Sequence, residues 1–201
     1  MLKQIRPALV LLVALTAITG LAYPFAITGL AQLAFPDQAG GSLVRRDGVV
    51  VGSALIGQSF TDARYFHGRP SATTEPDPKD PTKTVPVPYA ADNSGGSNLG
   101  PTNKALIDRV GGDVDRLRAE NPDASIPADL VTTSGSGLDP DISPEAAAFQ
   151  VPRVARARDL PVDRVAEIVR QSVRGPALGI FGGPRVNVLA LNMALDSAGR
   201  K

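Results

Sequence analysis

The stretch that decides the fold is PALVLLVALTAITGLAYPFAITGLAQLAFP, residues 7–36, which holds no charged side chain. A helix rises about 1.5 Å per residue, so roughly 20 residues cross a hydrocarbon layer of about 30 Å. Ala8 to Thr28 is 21 residues and meets that length. Gly20, Pro24 and Gly29 interrupt the run. A helix cut before Pro24 would be short for a span, so Pro24 is expected inside the membrane or near its outer edge. Neighbouring helices would then satisfy the carbonyls freed by the proline. Thr16 with Gly20, and Ala22 with Ala26, are small residues at four-residue spacing, which permits close helix approach. They are the expected helix-packing positions, against the plainer reading of lipid-facing small residues.

Working outward, Lys3 and Arg6 crowd the short leading side, and the trailing side opens on Asp37. This balance predicts residues 1–7 in the cytoplasm, residues 8–35 as anchor and residues 36–201 as an extracytoplasmic domain. A cleaved signal peptide is the rival, with Gly20-Leu21-Ala22 as its small-residue site. The apolar run continues to Phe35, which a cleaved segment does not need.

The rest of the composition excludes several functions. The chain has 21 Lys+Arg against 20 Asp+Glu, and setting aside Lys3 and Arg6 leaves 19 against 20 from Asp37 onward. A nearly neutral domain lacks the basic surface that nucleic acid requires. Cysteine is absent, so there is no disulfide, thiolate metal site or cysteine nucleophile. Pro 18, Gly 20 and no Trp point to a loop-rich domain with a modest core.

Asp47-Gly48 between Leu43-Val44 and Val49-Val50-Val51 reads as a β-hairpin, with Ser53 to Phe60 continuing as strand or loop. Residues 69–98 carry prolines at 70, 76, 78, 81, 86 and 88, then Asn93-Ser94-Gly95-Gly96-Ser97-Asn98. This reads as a long surface loop without regular structure. Pro101 to Glu120 is expected to be helical, with Leu106, Val110, Val114 and Leu117 on one face and Gly111-Gly112 weakening its middle. Ser143-Pro144-Glu145 opens a helix to about Arg158, with Ser143 as N-cap. A second helix runs from Pro161 to Val173, with Val162, Val165, Val169 and Val173 as its stripe. A last helix lies near Val186 to Ser197, burying Val188, Leu191 and Leu195. The expected fold class is α+β: a small N-terminal sheet packed by three to four helices.

Candidate chemistry is sparse. Pro152 to Gln171 resembles a helix-turn-helix with Arg153, Arg156, Arg158, Arg164 and Arg170 on it, but Asp159, Asp163 and Glu167 offset the charge, so a structural helical hairpin is the better reading. His67 is the only histidine and builds no zinc site alone. Ser134 and Ser136 are weak partners for it in a hydrolase. Asp139 and Asp141 form only a fragment of a calcium loop and are read as turn caps. Ser94-Gly95-Gly96-Ser97 is a candidate for offering backbone amides to a phosphate, without the remaining P-loop residues. No catalytic residue and no metal site is assigned.

Five segments together resemble the C-subunit family of the Kdp-type potassium-transporting P-type ATPases. They are Gly52 to Phe60 (GSALIGQSF), Tyr65 to Ser71 (YFHGRPS), Ser94 to Leu99 (SGGSNL), Leu130 to Ile142 (LVTTSGSGLDPDI) and Pro184 to Leu195 (PRVNVLALNMAL). Arg6-Pro7-Ala8-Leu9 and Tyr23-Pro24 match as well, whereas Thr73 to Ala91 has little counterpart. The resemblance implies a non-catalytic subunit of a four-part inner-membrane complex. Its partners there are a channel-like potassium-binding subunit, a P-type ATPase catalytic subunit and a small peptide subunit. It implies one membrane helix in the lipid bilayer and an outer domain close to the potassium entrance. Potassium is the transported ion, no cofactor is bound firmly, and ATP belongs to the pump subunit. A role as catalytic chaperone in ATP binding is also implied, with Gln58, Ser94, Gly95, Gly96 and Ser97 as the nucleotide-contact candidates. That role conflicts with an extracytoplasmic domain, which does not meet cytoplasmic ATP. Acidic groups such as Asp62, Asp92 or Asp139 are candidates for raising local cation concentration. The alternative from another class is an exported, membrane-anchored ligand-binding or hydrolase domain using His67.

Overall fold

The computed structural model describes residues 2–199, and the chain divides into two compact units after Ser53. In the first unit, α1 (Ile5–Ala17), a π turn (Ile18–Ala22) and α2 (Tyr23–Ala34) form one continuous apolar helix of 30 residues with mean hydropathy 2.1. At about 1.5 Å per residue it is about 45 Å long, enough to cross a bilayer. None of its residues is buried within the chain.

A π turn precedes Pro24. A proline lacks the amide for its own helical bond, and its ring crowds the carbonyl four residues earlier. Here the Tyr23 amide donates to the Ile18 carbonyl, five residues back. The helix widens just ahead of the ring and passes Pro24 unbroken. The Thr19 hydroxyl turns back to the Leu15 carbonyl at 2.7 Å.

Phe35 leaves helical geometry (φ −141, ψ 60), and a short α3 (Pro36–Ala39) follows. Then β1 (Leu43–Arg46) and β2 (Val49–Ser53) pair antiparallel. Asp47 (φ 52) and Gly48 (φ 80) form the expected tight turn, since only residues tolerant of positive φ match the strand twist.

The second unit contains the core. Segment 69–98 is not the irregular loop expected. It holds a hairpin of β3 (Thr74–Asp77) and β4 (Asp80–Pro86), with Thr74 opposite Pro86 and Pro76 opposite Thr84. In a sheet of two strands each strand is an edge, so prolines stay at positions that donate no ladder bond. The proline count misled because it is a statement about central strands.

Four longer helices follow: α4 (Lys104–Glu120), α5 (Pro144–Arg158), α6 (Val162–Ser172) and α7 (Val188–Ala198). Each of three starts on the side chain before it. Asn103, Ser143 and Asn187 accept from the amides of Ala105, Ala146 and Ala190. These caps satisfy amides that have no partner inside the helix. Gly111-Gly112 does not break α4, and its predicted stripe turns inward, with Leu117 buried. In α6 the predicted stripe is corrected. Val165 and Val169 are buried, but Val162 and Val173 are exposed, and Ile168 takes the inward place. The helix is too short for four successive turns, so its outer valines overhang.

A three-stranded sheet absent from the sequence reading joins β5 (Asp141–Ile142), β7 (Arg185–Asn187) and β6 (Val173–Arg174), with β7 central and both pairings antiparallel. Val186 therefore lies in a strand, and α7 begins later than predicted. Phe66, Leu117, Ile142, Val154, Val165, Val186, Leu191 and Leu195 belong to one core cluster. Each such side chain contributes about 1.5–3 kcal/mol on leaving water.

Candidate functional site

The segments singled out by sequence meet at the turn Ser134–Asp139. The Gly95 amide donates to the Ser136 carbonyl at 2.8 Å, and the Ser94 hydroxyl reaches the same oxygen at 3.1 Å. The Gly57 amide donates to the Leu138 carbonyl at 2.8 Å. The Ser71 hydroxyl donates to the Gly137 carbonyl at 2.8 Å. Arg69 closes the group with an ion pair to Asp139 at 3.0 Å and a bond to the Thr133 carbonyl at 3.3 Å. Thr133 contacts the Ser97 hydroxyl at 3.4 Å.

Gly137 makes this close meeting possible. Its φ is +69, and a methyl group there would lie 2.5 Å from Thr73 Cγ2 and 2.7 Å from the Gly95 carbonyl. A Cβ would therefore clash while the backbone was already in the region that L-residues avoid. Behind the turn, Ser71 and Thr73 fasten the β3–β4 hairpin. The Thr73 hydroxyl donates to the Val87 carbonyl at 2.6 Å and accepts from the Ala90 amide at 3.1 Å. Ser71 accepts from the Tyr89 amide at 3.0 Å.

The Tyr89 ring fills the space left by Gly57, whose added Cβ would lie 2.5 Å from Tyr89 Cε1 and from the Asp139 carbonyl. Its hydroxyl donates to the Arg69 carbonyl at 2.7 Å. Burial, reinforced by the Asp139 charge, pushes this phenol up to about 12.

Beside Tyr89 lies a cavity of about 320 Å³ reached by His67, Arg69, Asp113, Arg116, Glu120 and Gln150. Its cations and anions balance. A larger apolar groove of about 810 Å³ runs between Ala124, Pro127, Ala128 and Phe149 at the start of α5. Neither is lined by Gln58 or by Ser94, Gly95, Gly96 and Ser97. The Gly95 amide, a candidate phosphate donor by sequence, already serves Ser136. Among the described residues no group of three or more His, Asp or Glu is arranged to hold a metal ion.

His67 belongs to a strap, Tyr65 to His67, laid over α5 and α7. Its ring Nε2–H donates to the Asp62 carbonyl at 3.1 Å. Burial lowers its pKa, helped by the Arg153 charge. Among the described residues no hydroxyl or carboxylate bonds to the ring, whereas a nucleophile–base pair would need one. The strap's main chain is held by two buried amides that the sequence analysis missed. Gln150 accepts from the His67 amide at 2.8 Å and donates to the His67 carbonyl at 3.1 Å. Asn192 accepts from the Phe66 amide at 2.8 Å and donates to its carbonyl at 3.0 Å. Polar residues on the inward face of a helical stripe were the available signal.

The arginines of the helical hairpin divide in two. Arg153 pairs with Glu120 at 2.8 Å and donates to the Ala63 and Tyr65 carbonyls at 2.6 and 2.9 Å. Arg158 pairs with Asp196 at 2.9 Å and stacks 4.9 Å over the Tyr65 ring. Both brace the strap and present nothing to phosphates. Arg156, Arg164 and Arg170 are exposed. Of the acidic candidates, Asp139 is neutralised by Arg69, and Asp62 pairs with Arg64 at 3.4 Å, while Asp92 is exposed. The helix-packing candidates Thr16, Gly20, Ala22 and Ala26 all lie exposed on the apolar helix, and an added methyl on Gly20 would meet only Thr16 Cγ2, at 4.0 Å.

The geometry gives a rigid, cross-tied scaffold joined to an apolar helix. Comparison with known proteins agrees with the segments that built it. The family model described as "K+-transporting ATPase, c chain" matches residues 5–197. A potassium-transporting ATPase KdpC subunit from Bradyrhizobium diazoefficiens is 68% identical over 201 residues, covering 100% of both chains. One from Methylobacterium nodulans is 69% identical over 201 residues with the same full coverage. One from Rhodopseudomonas palustris is 68% identical over 198 residues, 98% of this chain and 100% of that one. With a family match over nearly its whole length and relatives of such identity, the chain belongs to the KdpC family, the C chains of K+-transporting ATPases.

Proposed function

We propose that this chain is the accessory, non-catalytic C subunit of an ATP-driven potassium uptake complex in the inner membrane. It crosses once, keeps its short basic end in the cytoplasm and carries residues 36–201 outside. The observation that carries the reading is the 30-residue helix Ile5–Ala34, uncharged after Arg6 and with no residue buried in its own chain, in a protein of this family. Such a helix finds its partners in lipid or in other subunits. Thr16, Gly20, Ala22 and Ala26 are the contacts offered to the channel-like subunit, and the outer unit shapes the potassium entrance. The catalytic pump subunit and the small peptide subunit complete the assembly.

The mechanism is assembly and electrostatic shaping of the entrance. Asp92, exposed, is the acidic group offered to incoming cations, because Asp139 is bound to Arg69 and Asp62 to Arg64. A reporter fused to the C-terminus tests sidedness. Alkaline phosphatase there should be active and a fluorescent protein dark when exported by the general pathway; the reverse pattern overturns the topology. Affinity purification through this chain should bring down the pump and channel-like subunits, and recovery of the chain alone overturns the assembly role. Under this topology, contact with ATP through Gln58 and Ser94 to Ser97 requires exposure of those residues to the cytoplasm, which the same reporter decides.

A further inference from the structure

Between β6 and β7 the chain forms a hairpin tip, Pro176 to Gly183, that buries nothing apolar. Leu178 is 89% exposed, Ile180 76% and Phe181 62%, in a unit whose other large apolar residues mostly face the core. Three large apolar side chains together on a convex tip need a non-aqueous neighbour. Four of the tip's amides are satisfied within it. Ala177 and Phe181 exchange two bonds of 2.9 Å, and the Gly179 and Ile180 amides donate to the Pro176 and Ala177 carbonyls at 3.1 and 3.2 Å. Such a turn enters an apolar medium without exposing those amides to it.

Charge agrees. From Ile168 to Leu195 the sequence has Arg170, Arg174 and Arg185 and no acidic residue. Arg170 is shared with Glu167 and Arg185 with Asp141, while Arg174 stands at the base of the tip. An apolar, aromatic-bearing tip with a basic flank is the pattern of an interfacial anchor. The apolar helix ends at Ala34 and the second unit begins at Ala54, so the connecting chain reaches at most about 70 Å even if fully extended.

We propose that the Leu178–Phe181 tip inserts into the lipid–water interface of the leaflet facing the second unit, as a second membrane contact besides the helix. This rests on Ile5–Ala34 being a membrane anchor, but not on which side the unit occupies. A lipid surface fits better than a rigid protein surface, because a small convex tip has little area for a flat interface.

The chain has no tryptophan, so Phe181→Trp supplies a single reporter. The full chain is reconstituted into vesicles of phosphatidylcholine with phosphatidylglycerol, with and without brominated acyl chains. Brominated lipid should quench Phe181→Trp at least roughly twofold, and quenching should weaken in pure phosphatidylcholine. Ile107→Trp, on an exposed face of α4, should remain unquenched. Ile180→Trp repeats the measurement should Phe181→Trp fold poorly by circular dichroism. Flotation of the vesicles reports the anchor separately. A chain that floats but whose tip is quenched no more than the Ile107→Trp control overturns the tip contact alone. A chain that does not float overturns the anchor and the tip contact with it. A blue shift that needs the partner subunits and shows no bromine quenching assigns the tip to protein and overturns the lipid contact.

Discussion

Asn192 completes a two-bond ring with the backbone of Phe66: its carboxamide accepts from the Phe66 amide at 2.8 Å and donates to the Phe66 carbonyl at 3.0 Å. The side chain imitates a neighbouring strand, and Phe66, fully buried, is held where it fills the core. Asn192→Leu keeps the branched shape but leaves both main-chain groups buried and unpaired. Unfolding in urea should show a loss of about 2–5 kcal/mol, since each such group costs about 1–3 kcal/mol. A loss under about 0.5 kcal/mol, the size of an ordinary surface change, would refute the bracing role.

Arg153 and Arg156 lie three residues apart on α5 and should behave differently. Arg153 is 13% exposed and pairs with Glu120, which is 16% exposed. Arg153→Ala strands that carboxylate and the Ala63 and Tyr65 carbonyls, and should cost about 3–5 kcal/mol. Arg156→Ala should cost less than about 0.5 kcal/mol. Equal effects in thermal or chemical unfolding would contradict the division between bracing and solvated arginines.

Gly137→Ala should destabilise by about 2–4 kcal/mol, from positive φ together with the crowding by Thr73 and Gly95. The same substitution at Gly111, which has open space around it and lies in α4, should instead stabilise by up to about 1 kcal/mol. Denaturation midpoints of the two variants check both signs.

Two titrations act in opposite directions. Burial, and then Arg153, hold the His67 pKa below its usual 6.5, so the unfolded chain takes up the proton more readily. Stability should therefore fall as pH drops through that usual value towards the folded one, and His67→Gln should flatten the slope between about pH 7.5 and 5. The Tyr89 phenol is raised to about 12, so the unfolded chain ionises first and stability falls as pH rises past 10. Absorbance titration should show a late phenol ionisation that Tyr89→Phe removes.

Gly20→Leu places a large side chain where only Thr16 is near. The chain should still enter the membrane, because apolarity is preserved. Recovery of the partner subunits by affinity purification should fall several-fold if this face packs against a helix. Unchanged recovery would remove Gly20 from the contact.

Much of the helical content was legible, for identifiable reasons. Ser143 followed by Pro144 announces a helix start, and Leu106, Val110, Val114 and Leu117 keep one period, so α4 and α5 were placed within a few residues. Asp47-Gly48 fixed the first hairpin. The β3–β4 hairpin was missed because prolines are judged locally, while their tolerance depends on having no second neighbour strand. The sheet β5–β7–β6 was missed because strands of two or three residues carry no period.

What the sequence determined by itself was the long apolar helix, the start of α5 and the family, because each is written in short-range order: an unbroken apolar run, a capping residue before a stripe, five segments in sequence. What only the tertiary structure decided was which polar groups are structural. Gln150, Asn192, Arg153 and Asp139 look like surface chemistry in the sequence, yet each is occupied by a partner between 33 and 126 residues away. Hydrogen bonds and ion pairs form by proximity in space, and proximity across such separations exists only once the core has closed.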